Sequence, residues 1–259
     1  MKITQIRNAT IIIDYNHTKF LIDPWLGPKD YMPGFDIAVN SEIRQPRVEL
    51  PFKIEKIVDV DCVIVTHIHP DHWDEYAEQA IHKNMKIFVQ SDFDKKYLED
   101  KNFKNVEILS ETGTVFNEIT LYKTGTQHGK REILKPLCEQ IGMTYDAMGI
   151  IFKSENEKTL YVAGDTIYCE EVAAALNKYA PDIIIVNACG ATLLNGERII
   201  MKQGDIKEIL NQAPYSTVIA SHMGTVSHLT VTRKDLEKFK DENNIDNLLI
   251  PDDGDILKF

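Results

Sequence analysis

The chain has 259 residues, 43% hydrophobic and 27% charged, an ordinary globular composition with enough length to bury a sizeable core. Its net charge is −11 and no basic stretch is interleaved with aromatics, which argues against nucleic acid, whose binding rests on phosphate neutralisation. No apolar run approaches the roughly 20 residues a bilayer helix needs, and the amino-terminal stretch lacks the basic head and long apolar core of a secretory signal, so a cytoplasmic protein without membrane contact is expected.

In chain order, residues 2–5, 10–15 and 20–22 read as a β-meander whose second turn is Asp14-Tyr15-Asn16-His17. A Pro-rich, irregular stretch then spans 27–56, and loops of this length in compact domains are usually functional or mobile. Strand-like segments at 63–65, 86–89 and 106–109 alternate with helical ones at 77–82 and 93–98, a βαβ rhythm. After the strand-like 114–123 comes a second insertion, 129–147. Strands follow at 150–152 and 159–162, a helix at 170–178, a strand at 183–186, a helix at 205–211 and a strand at 218–220. Thr232 with Asp235 resembles a capping arrangement for a last helix ending near Glu242, and 247–250 and 256–257 read as edge strands. Two similar halves fit one α/β (α+β) domain over 1–259, a four-layer αββα sandwich. The four cysteines, Cys62, Cys138, Cys169 and Cys189, show no C-x-x-C spacing and read as free thiols, with Cys169 a candidate for the wall of a site.

The apolar run Cys62-Val63-Ile64-Val65 leads directly into Thr66-His67-Ile68-His69-Pro70-Asp71-His72, an H-x-H-x-D-H motif. Three imidazoles and a carboxylate in six residues make a poor core and a good metal site. Side chains at i and i+2 of an extended segment point the same way, so His67 and His69 can grip one cation, while Asp71 and His72, past the Pro70 turn, can face a second. A helix-capping turn is the bland alternative. His128 follows the strand-like 119–123, Asp165 sits in Ala163-Gly164-Asp165-Thr166 after 159–162, and His222 follows 217–221. Each lies just past the carboxyl end of an expected buried strand, where α/β folds place ligand sites.

These residues resemble the metallo-β-lactamase-fold hydrolases over nearly the whole length. Leu21-Ile22-Asp23-Pro24-Trp25-Leu26 and Leu160-Tyr161-Val162-Ala163-Gly164-Asp165-Thr166 are similar to the branch that contains L-ascorbate-6-phosphate lactonase. The resemblance implies two divalent transition-metal ions, Zn²⁺ or Mn²⁺: His67, His69 and His128 on the first, Asp71, His72 and His222 on the second, Asp165 between them. It implies metal-assisted hydrolysis by water activated between the ions, with Asp71 handling the proton as the catalytic carboxylate. No G-x-S-x-G nucleophile elbow is present.

The expected substrate is a small molecule, such as a phosphorylated sugar lactone or related ester, and the reading leaves room for a homo-oligomer. Lys130 and Arg131, right after His128, are candidates for an anion clamp, as are Arg198 and Lys202. His228 is a candidate substrate contact at the rim, and Asp23 is expected to orient a metal-binding histidine. Trp73 reads as core or site wall, and His17 and His82 as surface or turn residues. A phosphodiesterase of the same fold is the second reading. A non-catalytic metal-binding regulatory protein is the third, and the complete ligand set counts against it.

Overall fold

The computed structural model describes the backbone of residues 1–259 and every side chain but that of Ile141. Its strands, in chain order, are β1 (Lys2–Arg7), β2 (Thr10–Tyr15), β3 (Thr18–Ile22), β4 (Cys62–Ile64), β5 (Lys86–Val89), β6 (Asn105–Ile108), β7 (Thr114–Phe116) and β8 (Ile119–Thr124). They continue with β9 (Gly149–Lys153), β10 (Leu160–Val162), β11 (Ile183–Asn187), β12 (Thr217–Ser221), β13 (Leu248–Leu249) and β14 (Ile256–Lys258). The helices are α1 (Ile54–Ile57), α2 (Glu75–Ala80), α3 (Asp92–Asp100), α4 (Arg131–Ile141), α5 (Glu170–Tyr179), α6 (Gln203–Gln212) and α7 (Arg233–Glu242). The strands form two seven-stranded sheets, in the orders β14-β1-β2-β3-β4-β5-β6 and β13-β12-β11-β10-β9-β8-β7.

Strand side chains alternate between faces, and here both faces are apolar. Ile11, Ile13, Phe20, Ile22, Cys62 and Ile64 of the first sheet meet Leu121, Ile150, Phe152, Leu160, Ile183 and Ile219 of the second, forming the middle of the sandwich. The intervening Leu21, Val63, Ile87 and Val89 face outward onto Ile57, Ala77 and Leu98 of the first three helices. Ile151, Tyr161, Ile184 and Val218 likewise face Val172, Ile206 and Leu236 of the later helices. The layers therefore run αββα, as the sequence implied.

Direction places the site. β3, β4, β5 and β6 are parallel, as are β10, β11, β12 and β13. Two antiparallel steps give β1 the direction of β3, and β8 that of β10. The carboxyl ends of β1, β3 and β4 thus share one edge of the first sheet, and those of β8, β10, β11 and β12 share one edge of the second. Main-chain hydrogen bonds from His222 N to Asn8 O (2.9 Å) and from Met148 N to Thr66 O (3.2 Å) join these two edges.

Two expectations change. Residues 114–123 form a hairpin, β7 and β8, because Asn117 and Glu118 take φ of 47° and 63°. This pair of left-handed residues makes the tight turn that suits strand twist. The second insertion, 129–147, holds α4, whose interior Pro136 hides it from sequence patterning; Gly142 closes it at φ 70°. The stretch expected to be irregular over 27–56 is so as far as residue 53, after which α1 begins instead. The buried Arg7 organises it by donating to the carbonyls of Trp25 (2.8 Å), Gly27 (2.9 Å) and Val48 (3.0 Å). Thr232 and Asp235 form the anticipated capping box of α7. No helix among the described residues is long and apolar enough to cross a membrane.

Phe152 is buried between the sheets, with ring centroids 5.2 Å from Phe20 and 5.6 Å from Tyr15. Phe152→Ala is expected to cost about 3–5 kcal/mol of stability, while Thr232→Ala, which removes one cap, costs about 1 kcal/mol. Urea unfolding monitored by circular dichroism checks both.

Candidate metal centre

The loops leaving the strand ends bring seven ligand-type side chains together. All are buried: His67, His69, Asp71 and His72 after β4, His128 after β8, Asp165 after β10 and His222 after β12. Donor atoms of His67, His69 and His128 lie mutually within 4.8 Å, as do those of His67, His72 and Asp165, and those of Asp71, His72 and His222. The turn before Asp165 requires glycine: Gly164 has φ +69°, and a Cβ there would sit 2.5 Å from the Met148 carbonyl oxygen. His222 and Asp23 themselves adopt φ of 62° and 45°. Such left-handed conformations are uncommon for side-chain-bearing residues and cluster at functional sites.

Hydrogen bonds behind the ligands set which ring nitrogen faces inward. Asp23 accepts from Thr66 N (2.7 Å), Thr66 Oγ1 (2.7 Å) and His72 Nδ1 (2.8 Å). The Thr66 hydroxyl proton is thereby committed to Asp23, so this oxygen accepts from His67 Nδ1 at 3.0 Å. His67 and His72 therefore both turn Nε2 toward the cluster. His69 donates through Nε2 to the Thr144 carbonyl (2.8 Å) and presents Nδ1; His128 donates through Nδ1 to the Ile199 carbonyl (2.9 Å) and presents Nε2. Asn187 Nδ2 donates to Asp165 Oδ1 at 2.6 Å, and Asn8 Nδ2 to the Asp71 carbonyl at 3.1 Å. His222 Nδ1 faces Cys189 Sγ at 3.4 Å.

Electrostatics divides the cluster. Burial pushes His67 well below the usual imidazole range, helped by His72 and His69, and pushes His69 down to about 4, helped by His128. Both are neutral, ligand-ready rings at pH 7. His72 is raised to about 10 against its burial by Asp165, Asp23 and Asp71, and His222 well above its usual range, also against burial, by Cys189 and Asp165. Burial alone would raise Asp71 and Asp165, yet His72 and His222 hold both well below the carboxylate range. This half of the cluster is thus a buried set of carboxylates and imidazoles whose protons a divalent cation can replace. His72 Nε2 agrees: it is buried, 3.2 Å from Asp165 Oδ2, yet too far off axis for a hydrogen bond with any described residue. An orphaned ligand nitrogen among carboxylates fits a divalent metal.

A cavity of about 240 Å³ opens on the centre, against His69, Asp71, His128 and Asp165. Its other walls are mostly apolar, with Phe35 and Ile37 from the first irregular stretch, Leu134 of α4, Met143, Leu193 and Ile199. The expected anion clamp lies elsewhere. Lys130 and Arg131 are exposed and line no part of the cavity; Lys130 Nζ faces Glu197 and Arg131 faces Asp146, each at 3.7 Å. Arg198 pairs with Asp205 at the base of α6, and Lys202 is exposed outside the cavity. Asp36, at the mouth, is acidic, and no Lys or Arg appears in the wall among the described residues. Cys138 of α4, rather than Cys169, is the thiol in the wall. Trp73 is core, against Phe103 at 5.4 Å. His228 lines the cavity and Asp23 stands behind the ligands. Thr66, Asn8, Asn187 and Cys189 have no signal in the sequence beyond their place after a strand.

Removing the carboxylate behind two ligands gives a direct check. Asp23→Asn loses the acceptor for His72 Nδ1 and for the Thr66 relay, and is expected to weaken metal affinity by roughly 10- to 100-fold. Competition against a fluorescent chelator measures it.

A family model described as the beta-lactamase superfamily domain matches residues 18–223. The UPF0173 protein YddR of Bacillus subtilis is 41% identical, with all of both chains covered. The isothiocyanate hydrolase from Delia radicum gut bacteria superimposes with a TM-score of 0.95 at 39% identity, covering 100% of this chain and 99% of that one. A possible metal-dependent hydrolase of Veillonella parvula superimposes with a TM-score of 0.96 at 40% identity, over the same shares. With an H-x-H-x-D-H cluster completed by His128, Asp165 and His222 at the meeting edges of two sheets, the chain belongs to the UPF0173 family of metal-dependent hydrolases, which share the metallo-β-lactamase fold.

Proposed function

We propose that the chain hydrolyses small, neutral, apolar electrophiles at a two-metal centre, with isothiocyanates as the substrate class. The observation that carries this reading is the cavity, whose walls beyond the metal-binding cluster are apolar apart from Asp36 and His228 and free of Lys and Arg. Kinship to a solved isothiocyanate hydrolase at 39% identity supports it. A phosphorylated sugar or a phosphodiester finds no cationic partner in the wall and meets Asp36 at the mouth. A neutral lactone or ester fits the same walls and is the comparison substrate.

In this reading His67, His69 and His128 would hold one ion and Asp71, His72 and His222 the other, with Asp165 available to either. Mixed imidazole and carboxylate donors accept Zn²⁺ or Mn²⁺. When bound, such ions supply Lewis acidity and make water a nucleophile at neutral pH. The net reaction is R–N=C=S + H₂O → R–NH₂ + O=C=S. Water adds at the central carbon, the nitrogen takes up both water protons, and the carbon–nitrogen bond breaks as carbonyl sulfide leaves. Asp71 is suited to carry the proton: its carboxylate stays ionised beside His222 Nε2 (3.3 Å) and His72 Nε2 (3.8 Å), and it borders the cavity. The apolar wall keeps bulk water from the reacting carbon and takes the R group.

Protein purified without chelator is expected to carry up to two transition-metal ions per chain by elemental analysis, and to release amine from benzyl isothiocyanate. Metal-loaded protein that turns over neither the isothiocyanate nor a lactone would favour the regulatory reading. Asp165→Asn should lose metal and all turnover. Asp71→Asn should keep at least one ion at His67, His69 and His128 yet lose a hundredfold or more in rate, roughly the effect of a missing proton carrier. Near-normal turnover by Asp71→Asn would place that role elsewhere.

A further inference from the structure

Beside the exposed Asp36 at the mouth, His228 is a buried polar side chain of the cavity wall that the metal centre leaves unused. It is 4% exposed, and its Nδ1 is buried without a hydrogen-bond partner among the described residues. Leaving such an atom unpaired costs about 1–3 kcal/mol, and none of the carboxylates or imidazoles of the wall bonds to it. The backbone that carries the ring is also held in place. Thr192 N donates to the His228 carbonyl (3.2 Å), Ser227 N donates to Gln45 Oε1 (3.0 Å), and Asn40 Nδ2 donates to the Ser227 carbonyl (3.2 Å). Phe35 stands edge-on to the imidazole, with centroids 5.3 Å apart. The other ring nitrogen, Nε2, also has no hydrogen-bond partner among the described residues and, unlike Nδ1, is not sealed off by protein, so this edge of the fixed imidazole is where a molecule in the cavity can supply one.

We propose that His228 contacts the substrate, giving a ring N–H to one of the two heteroatoms that flank the electrophilic carbon of a bound isothiocyanate. The proposal rests on the isothiocyanate reading above. As water adds to the central carbon, negative charge spreads onto nitrogen and sulfur. A donor already aimed there stabilises the transition state without reorganising. The same contact fixes the cumulated N=C=S axis, so that the carbon faces the metal ligands while the R group lies against Phe35, Ile37 and Leu193. The role needs a neutral ring and no change of protonation. Burial, which pushes His228 down to about 4, keeps it neutral at pH 7.

The test uses metal-loaded wild type, His228→Ala and His228→Asn with benzyl isothiocyanate, recording kcat, KM, metal content and Tm. His228→Ala is expected to lose about a hundredfold in kcat/KM, chiefly in kcat, with metal content and Tm unchanged. His228→Asn, which keeps an N–H donor, should recover a large part of that loss, and its pH profile between 6 and 8 should follow the wild type. Unchanged kcat/KM in His228→Ala overturns the proposal and leaves the isothiocyanate reading intact. Equal losses in both variants accompanied by lost metal also overturn it, making His228 structural. Absence of isothiocyanate turnover in the metal-loaded wild type overturns both.

Discussion

A carboxylate 1% exposed, at the end of β3, ties the first sheet to the ligand loop of β4. Asp23 spends both oxygens on Thr66 and His72, while its own carbonyl accepts from Thr10 Oγ1 at 2.6 Å. Burying a carboxylate is costly unless it is hydrogen-bonded, and here three donors converge on its two oxygens. The benefit appears two bonds away, where the imidazoles of His67 and His72 are locked in one tautomer and one orientation. The left-handed backbone at Asp23 is the local strain that aims the carboxylate back across the strand end. Loosening this one residue would disturb a ligand from each of the two groups at once.

The two groups are chemically unequal. His67 and His69 are neutral rings kept so by burial, whereas His72 and His222 sit among carboxylates. A cation at the histidine-rich position therefore competes with few protons, and one at the carboxylate-rich position must displace them. Both positions face a cavity with no positive side chain of its own, so charge in the reacting region comes from whatever the ligands hold. Such a pocket discriminates by polarity: apolar groups lose water at little cost, while an anionic group finds no counter-charge.

Much of this was legible in the sequence because it rests on period and position. Alternating Ile11 and Ile13 against Ile12, or Phe20 and Ile22 against Leu21, announce strands buried on both faces, and ligand residues directly after such strands announce the site. The residues that stayed hidden act through the third dimension. Nothing near Asn187 in sequence indicates Asp165, and the carbonyls of Thr144 and Ile199 orient His69 and His128 through backbone atoms that any residue offers. Adjacency also misled. Lys130 and Arg131 follow a ligand, yet Gly129 at φ +83° turns the chain into α4 and carries them outward. Pro136 concealed that helix, since its missing N–H and bulky ring normally end one.

The cavity walls and the ligands come from different kinds of structure. The ligands emerge from strand ends braced by continuous hydrogen-bonded ladders. The walls come from three excursions, the stretch at 27–53, α4 and the loop at 192–203, with isolated bridges such as Met32 to Gln45 within the first and Ala38 to Leu193 between the first and the third. Insertions and substitutions in these excursions leave the sheet registers untouched. Descendants of such a chain can therefore exchange one substrate for another by remodelling three surface segments, while selection on metal binding keeps the strand ends constant.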